Sequence, residues 1–217
     1  MNESSISSFN TDISISSKET INTSTSFEKD NPVSEDIKKY IIKSISKNLK
    51  EIIKENIQNN QMKYVRNDIF YYSHVPSIAI EDYIKRIYKN TKMNISSLIM
   101  SIIYIDTFCE INRYVLSMNN IHRIILTACL LSIKFNEDIN INTKYYAEVA
   151  GIPVQDLNNL EFHFIVKIRF SLFVDYYIYQ KYFEYFCKYQ NTENKPIEAE
   201  KSVSSNNKIN KESGSNK

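Results

Sequence analysis

The sequence predicts an all-α protein. The chain has 217 residues but only two Gly, whereas the hairpins and bulges of most all-β folds consume glycine. Apolar residues through the middle of the chain recur at steps of three and four, the spacing of amphipathic helices. Because Ile and Tyr also favour strands, we give this periodicity more weight than residue propensity. The length suits one domain with tails.

Both ends of the chain are predicted to be disordered. Residues 1–33 contain 17 Ser, Thr or Asn, and residues 191–217 contain 12, without apolar periodicity. Such segments cannot bury enough apolar surface to offset the loss of chain entropy on folding. We therefore expect one folded domain at residues 34–190.

The first helix is expected to begin at Ser34, a residue type that caps helix N-termini. Its predicted apolar stripe consists of Ile37, Tyr40, Ile41, Ile45, Leu49, Ile52, Ile53 and Ile57. Six lysines lie off the centre of this stripe: Lys38, Lys39, Lys43, Lys47, Lys50 and Lys54. Two interpretations of these lysines stay open, a solvated basic face or a surface that contacts a partner or phosphate.

Three helices are predicted in the next part of the chain. Ser77 can cap a short helix that runs to about Lys89, and either Asn94 or Ser96 starts a longer one. The third, Ile121–Phe135, is apolar nearly all round. This pattern predicts a central helix that is surrounded by the others.

The last part of the predicted domain contains three more helices. A short helix around Tyr145–Ala150 is expected to end at Gly151, a residue type that favours the position after a helix. Pro153 suits the first turn of the next helix, which runs to about Arg169. The last helix is predicted at Asp175–Tyr189. We interpret its aromatic stripe as core packing: Tyr176, Tyr179, Tyr182, Phe183, Phe186 and Tyr189.

No motif in the sequence predicts catalysis, a cofactor or a metal site. Glycine-rich phosphate loops are absent, and so are the HExxH motif and nucleophile motifs. Cys109, Cys129 and Cys187 are too widely spaced for a CxxC zinc site, and we expect reduced thiols. The expected protein is not an enzyme.

Charge and hydrophobicity suggest an intracellular protein, in the cytoplasm, the nucleus or both. The net charge of +2 is too small to attract nucleic acid or a membrane on its own. The N-terminal residues lack the features of a secretory signal, and no apolar run reaches the length of a membrane span. We therefore expect neither a membrane nor nucleic acid as partner.

Four segments of the chain form a recognisable series: PSIAIEDYIKRI at Pro76–Ile87, NIHRIILTACLLSIKF at Asn120–Phe135, KYYAEVAGI at Lys144–Ile152 and LNNLEFHF at Leu157–Phe164. In this order they resemble the cyclin box of the phosphate-regulon-type cyclins, also called P- or U-type cyclins. The resemblance covers roughly residues 76–172. It implies a single five-helix cyclin box with one flanking helix on each side.

The resemblance also implies a function. It suggests a non-catalytic regulatory subunit that binds and activates a cyclin-dependent protein kinase. It places Lys134 and Glu161 at the contact with the kinase's PSTAIRE-type helix, where their charges would hold that helix by hydrogen bonds. Phe135 and Ile165 would add apolar contact, since Ile165 lies one turn after Glu161.

Alternatives stay open. From spacing alone, Lys134 simply ends a helix favourably and Glu161 is solvated. A second alternative is a different class of protein, a cyclin-fold scaffold or transcription-type factor that binds nucleic acid or a non-kinase protein. The Lys-rich first helix favours this alternative.

A structural ion pair is also predicted. Arg86 and Asp106 lie on largely apolar segments of consecutive helices, and we expect them to form a buried ion pair.

Overall fold

The computed structural model describes residues 33–138 and 142–188. Within these ranges the chain forms seven α-helices, one 3-10 turn at Gln61–Tyr64 and no strand, which confirms the all-α prediction. The helices are α1 (Glu35–Gln58), α2 (Ile80–Thr91), α3 (Ile95–Asn112), α4 (Ile121–Asn136), α5 (Thr143–Ala150), α6 (Val154–Lys167) and α7 (Tyr176–Lys188). The predicted tails lie outside the described residues, Val33 apart.

Five consecutive helices, α2 to α6, form the box, and α1 and α7 flank it. Helix α4 is central, as predicted: it packs against α2, α3 and α6, and 12 of its 16 residues are buried. Small polar side chains let α3 approach α4 closely, and the Ser132 hydroxyl donates to the Ser97 carbonyl at 2.7 Å. This bond satisfies polar groups that burial would otherwise leave unpaired.

Helix α3 is the most apolar of the long helices. By length and composition alone it could cross a membrane, but 61% of the segment is buried inside the protein. Its neighbours are α4, α6 and α7. Burial of this kind is typical of a core helix in a bundle.

The start of α2 differs from the prediction. The helix begins at Ile80, and its N-cap is Ala79 rather than the predicted Ser77. The His122 Nε2–H donates a hydrogen bond to the carbonyl of Ile78 at 3.0 Å. Because this tertiary bond engages the Ile78 carbonyl, the helix starts two residues later than the local capping signal indicates.

Other helix ends agree more closely with the ends predicted from the sequence. The Ser34 hydroxyl accepts from the Ile37 amide at 3.4 Å, as expected for an N-cap. Gly151 follows α5 with a φ of 74°, the left-handed conformation that glycine adopts without a steric penalty. Pro153 is the N-cap of α6, one residue before the predicted first turn.

Helix α7 is anchored to the box by its aromatic side chains. Phe186 is fully buried, and the Tyr182 hydroxyl donates to Asp106 on α3. The Asn48 side-chain amide donates to the Tyr185 hydroxyl at 3.2 Å, which joins α7 to α1. The prediction of core packing is therefore correct for Tyr182 and Phe186. It is wrong for Tyr176, which is 69% exposed at the start of the helix. Tyr189 lies outside the described residues.

The predicted ion pair between Arg86 and Asp106 does not form. Arg86 is exposed on α2, which packs chiefly against α1, α4 and α5. Asp106 lies on α3, whose chief neighbours are α4, α6 and α7, and its carboxylate accepts from Tyr182. Although α2 and α3 are consecutive in the chain, each packs chiefly against other helices, and no ion pair joins the two side chains.

All three cysteines are free, as the sequence predicts. Cys109 and Cys129 are buried, and Cys187 is partly buried. Burial raises the pKa of the Cys129 thiol to about 12. A thiol of this kind stays protonated and packs as a small apolar group.

Candidate partner-binding site

Lys134 and Glu161 meet on the surface, although 27 residues separate them in the chain. The Lys134 Nζ lies 2.6 Å from Oε1 and 2.7 Å from Oε2 of Glu161. The two side chains keep 35% and 20% of their surface exposed. The structure therefore brings together the two charged residues singled out from the sequence, as an ion pair accessible to solvent.

The packing of α4 on α6 creates this pair. The buried face of α4 ends at Ile133, and the next residue, Lys134, is exposed in the last turn. A cation is favoured there by the partial negative charge of the helix C-terminus. On α6, Leu160 and Phe164 are buried in the core, which fixes Glu161 at the edge of the contact with α4.

Phe135 and Ile165, the two predicted apolar contacts, differ in accessibility. Phe135 is 53% exposed and lies beside Lys134 at the end of α4. Ile165 is partly buried and packs against the core, one turn after Glu161. Phe135 thus offers free apolar surface, and Ile165 offers only its outer edge.

Sequence analysis missed three exposed apolar residues on or just after α6, the helix that carries Glu161. Phe162 and Val166 lie one turn apart on the outer side of α6, and Phe170 follows the helix. Their exposed fractions are 63%, 44% and 67%. The signal that could have found Phe162 and Val166 is their position off the helix's own apolar stripe, where polar residues are expected. We call Phe135, Phe162, Val166 and Phe170 the apolar rim.

An unusual turn positions Phe170. Arg169 and Phe170 have φ values of 56° and 57°, so two successive residues other than glycine adopt the left-handed conformation. The Phe170 amide donates to the Ile165 carbonyl at 2.9 Å, and the carbonyl of the buried Leu172 accepts from the Tyr104 hydroxyl at 2.7 Å. These bonds hold a backbone that is otherwise unfavourable, and strained residues of this kind cluster at functional sites.

The site has the composition of a binding surface. Exposed apolar side chains around a few polar groups are typical of protein–protein contact surfaces. The described residues contain no group of three His, Cys, Asp or Glu that could hold a metal ion. His122 is buried, its pKa is lowered by burial, and its Nε2–H is bonded to Ile78.

Comparison with known proteins decides the family. The family model for cyclins matches residues 2–172 of this chain. The chain belongs to the cyclin family. This agrees with the helical box.

Individual relatives confirm the resemblance to P- and U-type cyclins. It is 34% identical to Cyclin-U2-1 of Arabidopsis thaliana over 115 residues, which are 52% of each chain. It is 37% identical to Cyclin-U4-2 of the same plant over 108 residues, 49% of this chain and 50% of the relative. It is 31% identical to PHO85 cyclin-7 of Saccharomyces cerevisiae (strain ATCC 204508 / S288c) over 134 residues, 56% of this chain and 47% of the relative. The chain spans about half the length of the curated relatives it matches.

Proposed function

We propose that this cyclin is the regulatory subunit of a cyclin-dependent protein kinase, which it binds and activates through its box helices. The observation that carries the proposal is the exposed Lys134–Glu161 ion pair beside the apolar rim. The yeast relative is named as a cyclin of PHO85, and we propose a partnership of the same class. The kinase-binding domain comprises residues 34–190, and the protein acts in the cytoplasm, the nucleus or both.

The ion pair is suited to binding a helix of a partner. In the free protein the two partly solvated charges satisfy each other, and an exposed pair of this kind contributes only about 0–1 kcal/mol to folding. In the complex, Lys134 donates to carbonyl oxygens and Glu161 accepts from amide or side-chain donors of the kinase helix. Charge-assisted bonds contribute about 1.5–3 kcal/mol each, so exchanging the internal pair for these bonds favours association.

The apolar rim supplies the hydrophobic part of the interface. Each Å² of apolar surface removed from water stabilises a complex by about 25 cal/mol. Phe135, Phe162 and Phe170 are all more than half exposed in the free chain. A stable interface of about 1,600 Å² in total would cover these rings together with the outer edge of Ile165.

Activation follows from binding only one state of the kinase. Phosphoryl transfer requires an internal Lys–Glu ion pair and an aligned Asp in the DFG segment of the kinase. A cyclin that contacts the regulatory helix only in its inward position shifts the kinase toward this state by its differential affinity for it. The cyclin contributes no catalytic group.

Affinity purification from the source cells tests the proposal. The tagged chain is recovered as wild type, as Lys134→Ala with Glu161→Ala, and as a control with Glu81→Ala and Lys85→Ala. The control removes a second exposed ion pair of 2.6 Å, which lies within α2. We expect a kinase to co-purify with the wild type and the control, and to be lost from the first variant.

Two results would contradict the proposal. If no kinase co-purifies under conditions that recover known cyclin pairs, the scaffold or transcription-factor alternative gains weight. If a kinase co-purifies equally with all three forms, the chain binds a kinase through another surface.

A further inference from the structure

Three aromatic side chains at the start of α7 are exposed together. Phe173, just before the helix, and Tyr176 and Tyr177, its first two residues, keep 80%, 69% and 61% of their surface exposed. We call these three residues the aromatic patch. An aromatic side chain can bury about 150–250 Å², so the patch offers roughly 300–500 Å² in total. The largest apolar patch of a typical soluble monomer covers about 300–600 Å², and patches of this size commonly mark a contact.

Local bonds hold the patch in place. The Asp175 carboxylate accepts from the Tyr177 amide at 2.8 Å, which fixes the first turn of α7. One turn later, the Nζ of Lys181 lies 4.2 Å from the centre of the Tyr177 ring. The Tyr179 hydroxyl donates to the Ser96 hydroxyl at 3.1 Å. The three rings are therefore carried by a helix end that is anchored at the start of α3.

The chain enters the domain at the same end of the bundle. Two residues before Ser96, the Asn94 amide donates to Oε1 of Glu137 at 2.8 Å. Burial raises the pKa of Tyr88 on α2, and the charges of Glu35, the first residue of α1, and Glu137 raise it further. The start of α1 and the aromatic patch therefore both lie beside the start of α3.

Residues 1–32 precede the described part of the chain, and their sequence suits the patch. Four apolar residues occur within ten positions: Ile6, Phe9, Ile13 and Ile15. The 32 residues contain five acidic and two basic residues, whereas residues 34–190 contain 16 acidic and 20 basic residues. Residues 191–217, with four acidic and five basic residues, have the same sign of charge as the domain. Charge complementarity thus favours the N-terminal segment over the C-terminal one.

We propose that the segment Ile6–Ile15 of the same chain covers the aromatic patch. Seventeen residues separate Ile15 from Val33, and a flexible chain of that length spans about 20–25 Å on average. Helix α1 packs against α7, and helices in contact lie about 8–10 Å apart. The segment can therefore reach the patch of its own domain.

The size of the patch favours a tethered segment over a second copy of the chain. Each partner of a stable complex buries about 800 Å², well above the area that the patch offers. A segment joined to its site by a short flexible linker has an effective concentration of about one millimolar, so a weak contact suffices. The ion pair and the apolar rim are other residues, and the inference does not depend on kinase binding.

Tryptophan fluorescence of the full chain tests the inference. The sequence contains no Trp, so Phe9→Trp places a single reporter in the segment. Quenching by acrylamide measures how accessible this reporter is. The patch variant adds Phe173→Ser and Tyr176→Ser to the reporter chain. The control instead adds Ile57→Ser and Tyr64→Ser, at two side chains that are each 56% exposed.

The control positions lie at the other end of the bundle. The Asn56 side-chain amide, next to Ile57, donates to the carbonyl of Leu116 at 3.0 Å, and Leu116 follows the C-terminus of α3. The 18 residues of α3, about 27 Å at 1.5 Å per residue, separate this end from the start of α3. Both variants change exposed side chains only, so neither should shift the midpoint of urea unfolding.

We expect acrylamide to quench the reporter about threefold more strongly in the patch variant, because the millimolar effective concentration keeps the segment on an intact patch. The control should be quenched like the reporter chain itself. Equal quenching in all three forms would overturn the inference, and so would equal release of the reporter in both variants. Protection that appears only as the protein concentration is raised would show that a second copy covers the patch instead.

Discussion

The Tyr182 hydroxyl on α7 donates a hydrogen bond to the Asp106 carboxylate on α3. Burial raises the pKa of Asp106 to about 7, the bond from Tyr182 lowers it in part, and the charge of Glu110, one turn along α3, raises it further. In the described part of the chain, no Lys, Arg or His forms an ion pair with this carboxylate. The second box helix therefore meets the C-terminal flanking helix through an acid that titrates near neutral pH.

This contact predicts a pH-dependent stability. The folded pKa of Asp106 lies above the value of about 3.9 that an unfolded Asp has, so the folded chain holds a proton that the unfolded chain releases. The resulting stabilisation is full below about pH 4 and is lost as the pH rises to about 7. We expect Asp106→Asn to remove this contribution, so that the free energy of unfolding in urea falls less steeply between pH 4.5 and 7.5. Parallel profiles for wild type and variant would contradict the assignment.

Phe186 should be essential to the docking of α7. Its ring is fully buried, and replacing a buried Phe with Ala typically costs about 3–5 kcal/mol. We expect Phe186→Ala to lower the free energy of unfolding by that amount in urea denaturation. Tyr176→Ala, on the same helix but 69% exposed, should change it by less than about 0.5 kcal/mol. Equal effects would show that α7 is not packed by this stripe.

Replacing Arg169 with glycine should relieve backbone strain in the turn after α6. Arg169 has a φ of 56°, a conformation that costs residues other than glycine about 1 kcal/mol or more. Arg169→Gly should therefore keep or raise the free energy of unfolding, by up to about 1 kcal/mol after the larger unfolded-state entropy of Gly is included. The matched change Lys167→Gly, at the last residue of α6, should lower it by up to about 1 kcal/mol. A loss for Arg169→Gly as large as that for Lys167→Gly would count against strain at this turn.

Lys134 and Glu161 should matter little for folding. Since the pair is partly exposed, we expect Lys134→Ala and Glu161→Ala to lower the free energy of unfolding by less than about 1 kcal/mol each. Thermal or urea unfolding of the isolated chain checks this. A loss of several kcal/mol would identify the pair as a structural element and would make binding data on these variants hard to interpret.

Much of the fold was predictable because strong local signals agree with tertiary packing. Helix α4 is apolar on nearly every side, and such a segment has few alternatives to a central position. Gly151 ends α5 because the left-handed conformation there suits glycine. Ser34 caps α1 through a bond to a residue only three positions away. Each of these features depends on neighbours in the sequence.

The incorrect predictions concern contacts between distant residues, which no local sequence pattern encodes. Ile78 stays outside α2 because His122, 44 residues later, bonds to its carbonyl. Asp106 pairs with Tyr182 rather than Arg86 because α7 packs on α3, whereas α2 packs chiefly against other helices. At the site, spacing identified Lys134 and Glu161 only as separate charges, and the packing of α4 on α6 turns them into a pair.

Reconstitution of kinase activity tests the central claim most directly. The kinase recovered with the wild-type chain is purified free of it, and its rate of phosphoryl transfer is measured before and after the purified cyclin is added. We predict a large increase with the wild type and with the Glu81→Ala, Lys85→Ala control, and none with Lys134→Ala, Glu161→Ala at the same concentration. A bound but unstimulated kinase, or full stimulation by the Lys134→Ala, Glu161→Ala variant, would contradict activation through this site.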